Sequence, residues 1–154
     1  MPGPRRIVSG GQTGVDRAAL DVAIALGIPH GGWCPRGRRA EDGVIAARYA
    51  LREHASADYD ERTEANVVDS DGTLILYRGA LEGGTKLTRE IAARHRKPLL
   101  VVDLAEAPDP TAVRRWIDDE RIAVLNVAGP RESGRPGIGR EAAAFLSRVL
   151  TAET

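Results

Sequence analysis

The sequence has little of what builds metal centres, disulfide frameworks and membrane spans. One cysteine and three histidines occur among its 154 residues, which is too few for a disulfide framework or a typical structural zinc site. No apolar run approaches the roughly 18 residues that suggest a membrane span. No basic start followed by an apolar stretch and a small-residue cleavage site opens the chain. We therefore expect a cytoplasmic protein with no metal site and no membrane partner.

The sequence also has no excess of positive or of negative charge. Lysine and arginine total 22, aspartate and glutamate total 22, and the formal net charge is zero. A neutral chain has no global field to attract nucleic acid or anionic lipid, so we expect no nucleic-acid partner. The 42% hydrophobic and 29% charged residues are typical of a globular domain. Because the length is that of one domain, a single domain is predicted over residues 1–154.

Short β-branched runs alternate with longer amphipathic segments. Strands are predicted at Arg6–Ser9, His30–Trp33, Gly72–Tyr77, Pro98–Asp103 and Ala123–Val127. Helices are predicted at Asp16–Leu26, Asp58–Ser70, Thr85–His95, from Asp109-Pro110 onward, and at Ile138–Leu150, with Cys34–Asp42 as a surface loop. This alternation predicts a Rossmann-like, doubly wound α/β fold, with about five mostly parallel strands and helices on both faces. Ligands of such sheets bind beyond the carboxyl ends of the strands.

The first loop at that edge is glycine-rich and consists of Gly10, Gly11, Gln12, Thr13 and Gly14. Its glycines allow backbone N–H groups to approach a ligand, and the following helix adds partial positive charge, so the loop predicts an anion site. A tight turn without a ligand is the alternative. The dinucleotide fingerprint G-x-G-x-x-G does not fit, because Gln12 stands where its second glycine is required. Asp16 is expected to cap the helix.

A second loop, Arg78–Thr85, ends in Gly83-Gly84-Thr85. Gly79 and Gly84 have the glycine spacing of a P-loop, but Thr85-Lys86 replaces the required Lys-Ser/Thr, so a P-loop NTPase is excluded. The backbone N–H groups and the Thr85 hydroxyl still predict a phosphate site at a helix N-terminus.

Two further loops carry polar groups that we expect near the ligand. The loop Asn126–Gly137 contributes Asn126, Arg131 and Ser133, and the segment Trp33–Asp42 contributes Arg36 as a planar donor. A solvated loop is the alternative for the first segment, and a solvated charge run balanced by Glu41 and Asp42 is the alternative for the second. Cys34 is expected to be a semi-buried small hydrophobic residue.

Acidic residues offer no pair with a diagnostic spacing. Glu41 and Glu90 are the candidates for a catalytic carboxylate, with Asp42 and Glu82 as further acids. A polar stripe at helical spacing, formed by Tyr59, Arg62, Thr63 and Asn66, is either functional or a solvent-facing helix surface.

Several long blocks resemble the family called "putative molybdenum carrier". They are Ser9–Arg17, Gly32–Gly43, Asp71–Leu76, Glu82–Thr85 and Asn126–Ser133, and they span most of the chain. That family resembles molybdenum-cofactor carrier proteins and a wider Rossmann-like group, which includes the Lonely Guy phosphoribohydrolases and bacterial DNA-processing proteins. The resemblance implies a homodimer or higher homo-oligomer. It also places the group's phosphate motif on Gly83, Gly84 and Thr85.

Two functions follow as hypotheses. The first is a carrier of a phosphorylated, ring-containing ligand, either the molybdenum cofactor (a pterin phosphate) or a nucleotide. The alternative is hydrolysis of the N-glycosidic bond of a nucleoside monophosphate, which needs a carboxylate such as Glu41 or Glu90. Thr88 stands where the related hydrolases carry a glutamate, so the carrier is favoured. A scaffold without a ligand would leave the glycine-rich loops unexplained.

Overall fold

The computed structural model describes residues 3–152 and follows the predicted alternation of strands and helices. The strands are β1 (Arg6–Val8), β2 (His30–Gly31), β3 (Trp33–Cys34), β4 (Arg39–Ala40), β5 (Gly43–Val44), β6 (Arg52–Glu53), β7 (Gly72–Tyr77), β8 (Leu99–Asp103) and β9 (Val124–Ala128). The helices are α1 (Val15–Leu26), α2 (Tyr59–Val68), α3 (Gly83–Arg94), α4 (Pro110–Asp119) and α5 (Ile138–Thr151), with a 3-10 turn at Leu104–Glu106.

Five strands form the central sheet in the order β2-β1-β9-β7-β8. Every neighbouring pair in it is parallel. In β7 the first five residues are buried, as expected for a strand that is covered on both faces. The predicted Rossmann-like sheet with about five parallel strands is confirmed.

Helices cover the sheet in two layers. Helix α5 packs against α1 and α4, and α2 packs against α3. The larger core lies under the first layer and includes Val15, Leu74, Leu125 and Phe145. A smaller cluster, centred on Val67 and Ile91, joins α2 and α3. Helices therefore flank both faces, as the alternation predicts.

Local signals set the starts of two helices. The Asp109 carboxylate accepts from the Thr111 N–H at 3.0 Å, and Pro110 occupies the first turn of α4. Asp58 caps α2 by accepting from the Asp60 N–H at 2.8 Å. Asp58 is thus the cap and not the first helical residue, and the upstream Ser56 Oγ accepts from the Asp58 N–H at 2.9 Å.

Two predictions about residues 30–53 are wrong. The strand predicted at His30–Trp33 is broken at Gly32, so β2 joins the central sheet while β3 pairs with β6. The predicted surface loop Cys34–Asp42 contains β4, which forms an antiparallel hairpin with β5. Cys34 is fully buried against Leu20, Ile45 and Tyr49, so the hydrophobic role predicted for it is confirmed and its burial is complete.

Gly32 is held in a conformation that only glycine tolerates. Its φ is +123°, and a Cβ placed there would lie 2.3 Å from the Ser9 carbonyl oxygen. At Gly43 φ is +114°, but nothing lies within 4 Å of an added Cβ. Replacing either by alanine introduces about 1–3 kcal/mol of backbone strain. Gly32→Ala adds overlap with backbone, which costs about 1–3 kcal/mol more.

We therefore expect Gly32→Ala to lower the free energy of unfolding clearly more than Gly43→Ala does. Urea denaturation of both variants beside the wild type measures the difference. Equal losses would show that Ser9 moves aside and that the close approach does not constrain the fold.

None of the helices within residues 3–152 is both long and apolar enough to cross a membrane.

Candidate functional site

The cleft lies where the helices after two neighbouring strands diverge. β7 leads into α3 in one layer, while the adjacent β9 leads into α5 in the other. Such a divergence opens a crevice beyond the carboxyl ends of parallel strands. Here it is a cleft of about 560 Å³, within the usual size range of small-molecule sites.

Four segments line this cleft: the turn after β1, the polar face of α2, the β7–α3 junction, and the end of β9 with the loop that follows. Their lining residues are Gly10, Gln12, Asp16, Tyr59, Asp60, Arg62, Thr63, Asn66, Ala80, Glu82, Gly83, Gly84, Thr85, Leu87, Thr88, Asn126, Val127, Ala128, Gly129, Pro130, Arg131, Gly134 and Arg135.

The N-terminus of α3 is open to the cleft. Glu82 precedes the helix without a side-chain capping bond, and the N–H groups of Gly83 and Gly84 donate to no residue that the structure describes. A Cβ added at either glycine would meet nothing within 4 Å. Thr85 follows with its side chain nearly buried at the cleft wall. Free N–H groups at a helix start favour an anion.

The end of β9 forms the back wall. Asn126 is 3% exposed, and its Nδ2 donates to Thr73 Oγ1 at 3.3 Å across the sheet. Gly129 passes so close to β7 that a Cβ there would lie 2.2 Å from the Leu76 carbonyl oxygen. Arg131 is exposed at the rim of the cleft. Asn126 and Arg131 therefore line the same cleft as Gly83–Thr85.

The polar stripe of α2 lines the cleft, with Tyr59 44% exposed at one end of it. Tyr59, Arg62, Thr63 and Asn66 all line it. Asn66 also fixes the neighbouring strand, because its Oδ1 accepts from the Trp33 N–H at 2.7 Å and its Nδ2 donates to the Trp33 carbonyl at 3.0 Å. The stripe therefore supplies most of one wall.

Asp16 does not cap α1, contrary to the sequence expectation. The cap position is Gly14, and no side chain within residues 3–152 makes a capping bond there. The Asp16 carboxylate instead lies on the cleft floor, where Oδ2 is 3.4 Å from Arg62 Nη1. Burial raises the pKa of Asp16 to about 6, although Arg62 lowers it. A carboxylate that titrates near neutral pH in a cleft is typical of a functional site.

Gly10 makes room for Arg62. A Cβ at Gly10 would lie 1.4 Å from Arg62 Nη1 and 3.0 Å from Asp16 Oδ2. Any larger residue would occupy the space that the guanidinium fills. The absence of a side chain at Gly10 therefore allows the Arg62 guanidinium to reach the cleft floor.

The rest of the glycine-rich turn is packed against the β9–α5 loop. The Val15 N–H donates to the Pro130 carbonyl at 3.2 Å, and the Glu132 N–H donates to Thr13 Oγ1 at 3.1 Å. At Gly14 a Cβ would lie 2.3 Å from the Pro130 oxygen. This loop covers the N-terminus of α1 where the sequence predicts an anion. Of the turn, Gly10 and Gln12 line the cleft, whereas Gly11, Thr13 and Gly14 do not.

Glu41 joins three loops. Its carboxylate accepts from Thr13 Oγ1, from Ser133 Oγ at 2.5 Å and from the Ser133 N–H at 3.1 Å, with Arg131 Nε 3.7 Å away. The Glu41 N–H donates to Gln12 Oε1 at 2.9 Å. The Ser133 and Thr13 hydroxyls hold the pKa of Glu41 below its usual value. Glu41 and Ser133 thus brace the rim from outside the cleft, and this geometry gives no support to an acid–base role for Glu41.

Two other predicted site residues also lie outside the cleft. Arg36 is exposed beyond β3, and its backbone N–H donates to the Ser56 carbonyl at 3.1 Å. Glu90 is exposed on α3, and its carboxylate bonds to no described residue. Asp16 and Arg62 stand in the cleft instead. The helical spacing of the α2 stripe was the available signal for Arg62.

Glutamine at position 41 should weaken the fold at neutral pH. Glu41→Gln removes the charge that accepts these bonds, and bonds to a charged group contribute about 1.5–3 kcal/mol. Because the folded-state pKa is lowered, the wild-type carboxylate stabilises the fold above its usual pKa, and that stability is lost as pH falls through the lowered value.

The free energy of unfolding of Glu41→Gln should therefore lie below that of the wild type at pH 7, and the gap should close in acid. Urea denaturation over a pH series measures it, with Glu90→Gln as the exposed control that changes stability by less than about 0.5 kcal/mol. A gap that persists unchanged in acid would contradict the role given to the Glu41 charge.

Both the sequence and the fold have relatives. Residues 7–150 match the model of the circularly permutated YpsA SLOG family. The structure is similar to a crystal structure from Syntrophus aciditrophicus SB of a protein named "putative molybdenum carrier protein". The two chains are 45% identical and superpose with a TM-score of 0.91, covering 98% of this chain and 97% of that one. No curated protein matches the chain. The resemblance seen in the sequence blocks is confirmed.

Proposed function

Because the chain belongs to the circularly permutated YpsA SLOG family, we propose that its cleft binds and carries a phosphorylated, ring-containing small molecule. The ligand is either the molybdenum cofactor, which is a pterin phosphate, or a nucleotide. The name of the 45% identical relative supports the carrier role. The cleft volume of about 560 Å³ suits a molecule of this size.

The open start of α3 carries the proposal. The unpartnered N–H groups of Gly83 and Gly84 converge with the Thr85 side chain on one wall of the cleft. These groups bind the phosphate, and the partial positive charge of the helix N-terminus adds to the attraction. Arg131 and Arg135 at the rim contribute positive charge. Asn126 and the α2 stripe then face the rest of the ligand.

The geometry favours carriage over hydrolysis. Neither Glu41 nor Glu90 lines the cleft, and of the acids that do (Asp16, Asp60 and Glu82) only Asp16 is buried, where it is paired with Arg62. Thr88 stands where the related hydrolases place a glutamate, and its hydroxyl is used to donate to the Gly84 carbonyl at 2.9 Å. The ligand should therefore leave the protein chemically unchanged.

Native mass spectrometry of freshly purified protein tests the proposal by revealing a co-purifying phosphorylated molecule. Calorimetry with nucleoside monophosphates then measures affinity, and inorganic phosphate serves as the minimal probe. Chromatography of each mixture after incubation detects free base. Binding without free base supports a carrier. Release of base would establish the hydrolase, and no binding of any phosphorylated compound would contradict the proposal.

We also propose that the protein assembles as a homodimer or higher homo-oligomer through the helices that flank the sheet, as the wider group does. Light scattering at micromolar concentration checks this, and a single species of monomer mass would contradict it.

A further inference from the structure

The Asp16–Arg62 pair on the cleft floor is buried but only partly hydrogen-bonded. The two side chains are 7% and 11% exposed. Asp16 Oδ2 accepts from Arg62 Nη1 and from the Gln12 N–H, both at 3.4 Å, and Oδ1 accepts from no residue within 3–152. Arg62 Nε is buried and has no hydrogen-bond partner in the described part of the chain. Both charges therefore have hydrogen-bonding capacity left over.

Arg38, an arginine with a purely structural role, makes more hydrogen bonds than Arg62 does. The guanidinium of Arg38 donates to four backbone carbonyls, those of Ile45, Ala46, Tyr49 and Leu51. An unmade bond at a buried donor is unfavourable, and an orphaned group in a native fold calls for an explanation. Arg62 Nε itself lies beneath the cleft surface, but Asp16 Oδ1 and the Arg62 Nη groups belong to side chains that line the cleft, so a ligand can bond to the pair there.

We propose that Asp16 and Arg62 recognise a ring edge on which a carbonyl oxygen stands beside a ring N–H and an amino group. Guanine and the pterins share this 2-amino-4-oxopyrimidine edge. The Arg62 guanidinium donates to the ring carbonyl, and the Asp16 carboxylate accepts from the N–H and amino groups. The inference rests on the proposed function, since the phosphate end of the same ligand lies at Gly83–Thr85.

The number of bonds favours this edge over others. An adenine bonds once to each residue, because its amino group donates to Asp16 and its ring nitrogen accepts from Arg62. The 2-amino-4-oxopyrimidine edge makes one bond more, because its ring N–H and its amino group donate to the two Asp16 carboxylate oxygens. The pair is neutral as a whole, which suits an uncharged ring. Sugar hydroxyls both donate and accept, so a pair that held the sugar would not distinguish between bases.

The surrounding wall suits a flat ring. Tyr59 lies on the same α2 stripe one turn before Arg62, with its ring 5.5 Å from the Arg62 guanidinium carbon. Leu87, Val127 and Pro130 add apolar surface to the cleft. An aromatic ligand thus has both apolar walls and a polar floor.

Calorimetry with GMP, IMP, AMP and 2′-deoxy-GMP on the wild type and on Asp16→Asn tests the assignment. We expect GMP to bind about 10- to 100-fold more tightly than IMP or AMP, because each of these makes one bond fewer to the pair. Asp16→Asn leaves one acceptor oxygen where there were two, so it should weaken GMP more than AMP and bring the two affinities close together. Asp119→Asn, an exposed change at the end of α4, is the control and should keep the wild-type order.

Competition with neopterin distinguishes between the two classes of ligand that carry this edge, the guanine nucleotides and the pterins. Displacement of GMP by neopterin, which carries the edge without phosphate, supports a pterin ligand, and a guanine-selective site would resist it. Equal affinity for the three nucleotides would overturn the ring assignment and leave the phosphate site standing. Weaker binding of 2′-deoxy-GMP alone would place the pair on the sugar and also overturn it. Failure of every nucleotide and of neopterin to bind would overturn the proposed function as well. If Asp16→Asn is unstable, the relative affinities of the nucleotides and neopterin for the wild type still test the ring assignment.

Discussion

Valine at position 84 should abolish binding of phosphorylated ligands while the protein stays folded. Gly84 has ordinary helical backbone and open space where a Cβ would stand, so the larger side chain meets no other residue. That same space is the approach to the free N–H groups of α3. Losing two bonds to a charged phosphate, each contributing about 1.5–3 kcal/mol, corresponds to roughly a 100-fold or larger loss of affinity.

Calorimetry with GMP measures the loss, and circular dichroism with urea denaturation checks the fold. The pair Thr85→Val and Thr85→Ser isolates the hydroxyl, since only the first removes it at nearly constant volume. Thr85→Ser should bind like the wild type and Thr85→Val more weakly. Ala93→Val is the control, because Ala93 is exposed near the end of the same helix and does not line the cleft. Unchanged GMP affinity in Gly84→Val would contradict the proposal that the phosphate binds at the N-terminus of α3.

Most of the framework could be predicted because local patterns determine it. The alternation of apolar runs gave all five central strands within a few residues, and the Asp109-Pro110 pair located the start of α4. The glycine pair before Thr85 indicated the open helix start. Each of these signals lies within one short segment, where propensity and capping act directly.

What the sequence could not show depends on contacts between distant segments. The break at Gly32 arises because the chain passes against Ser9. The first glycine-rich turn resembles an anion site, but Pro130 and Glu132, more than a hundred residues later, cover it. In the sequence Glu41 resembles an acid that is free to act in catalysis, but in the structure its carboxylate accepts hydrogen bonds from the Ser133 and Thr13 hydroxyls.

Asp16 was misassigned for the same reason. A carboxylate just after a turn is a common helix cap, and only the arrival of Arg62 from α2, 46 residues away in sequence, gives it another partner. Strained or incompletely bonded residues of this kind are where local rules fail and where function tends to lie. The cleft floor is thus the part of the site that the fold creates.

Alanine at position 10 should act on the ligand through Arg62. The added Cβ would stand 1.4 Å from Arg62 Nη1, and since that atom ends a flexible side chain, the guanidinium should leave the floor without unfolding the protein. GMP affinity should then fall about 10- to 100-fold, the equivalent of one or two charge-assisted bonds.

Arg62→Ala should produce the same loss, and the double variant should lose no more than either single one, because both changes remove one group. The pKa of Asp16, which Arg62 now lowers, should rise above about 6 in all three variants, as a carboxyl NMR titration would show. Losses that multiply in the double variant would mean that Gly10 contacts the ligand independently. An unchanged Asp16 titration would mean that Arg62 keeps its place beside the added methyl group. Either result would contradict the proposal that Gly10 leaves space for the Arg62 guanidinium and that Arg62 in turn binds the ring of the ligand.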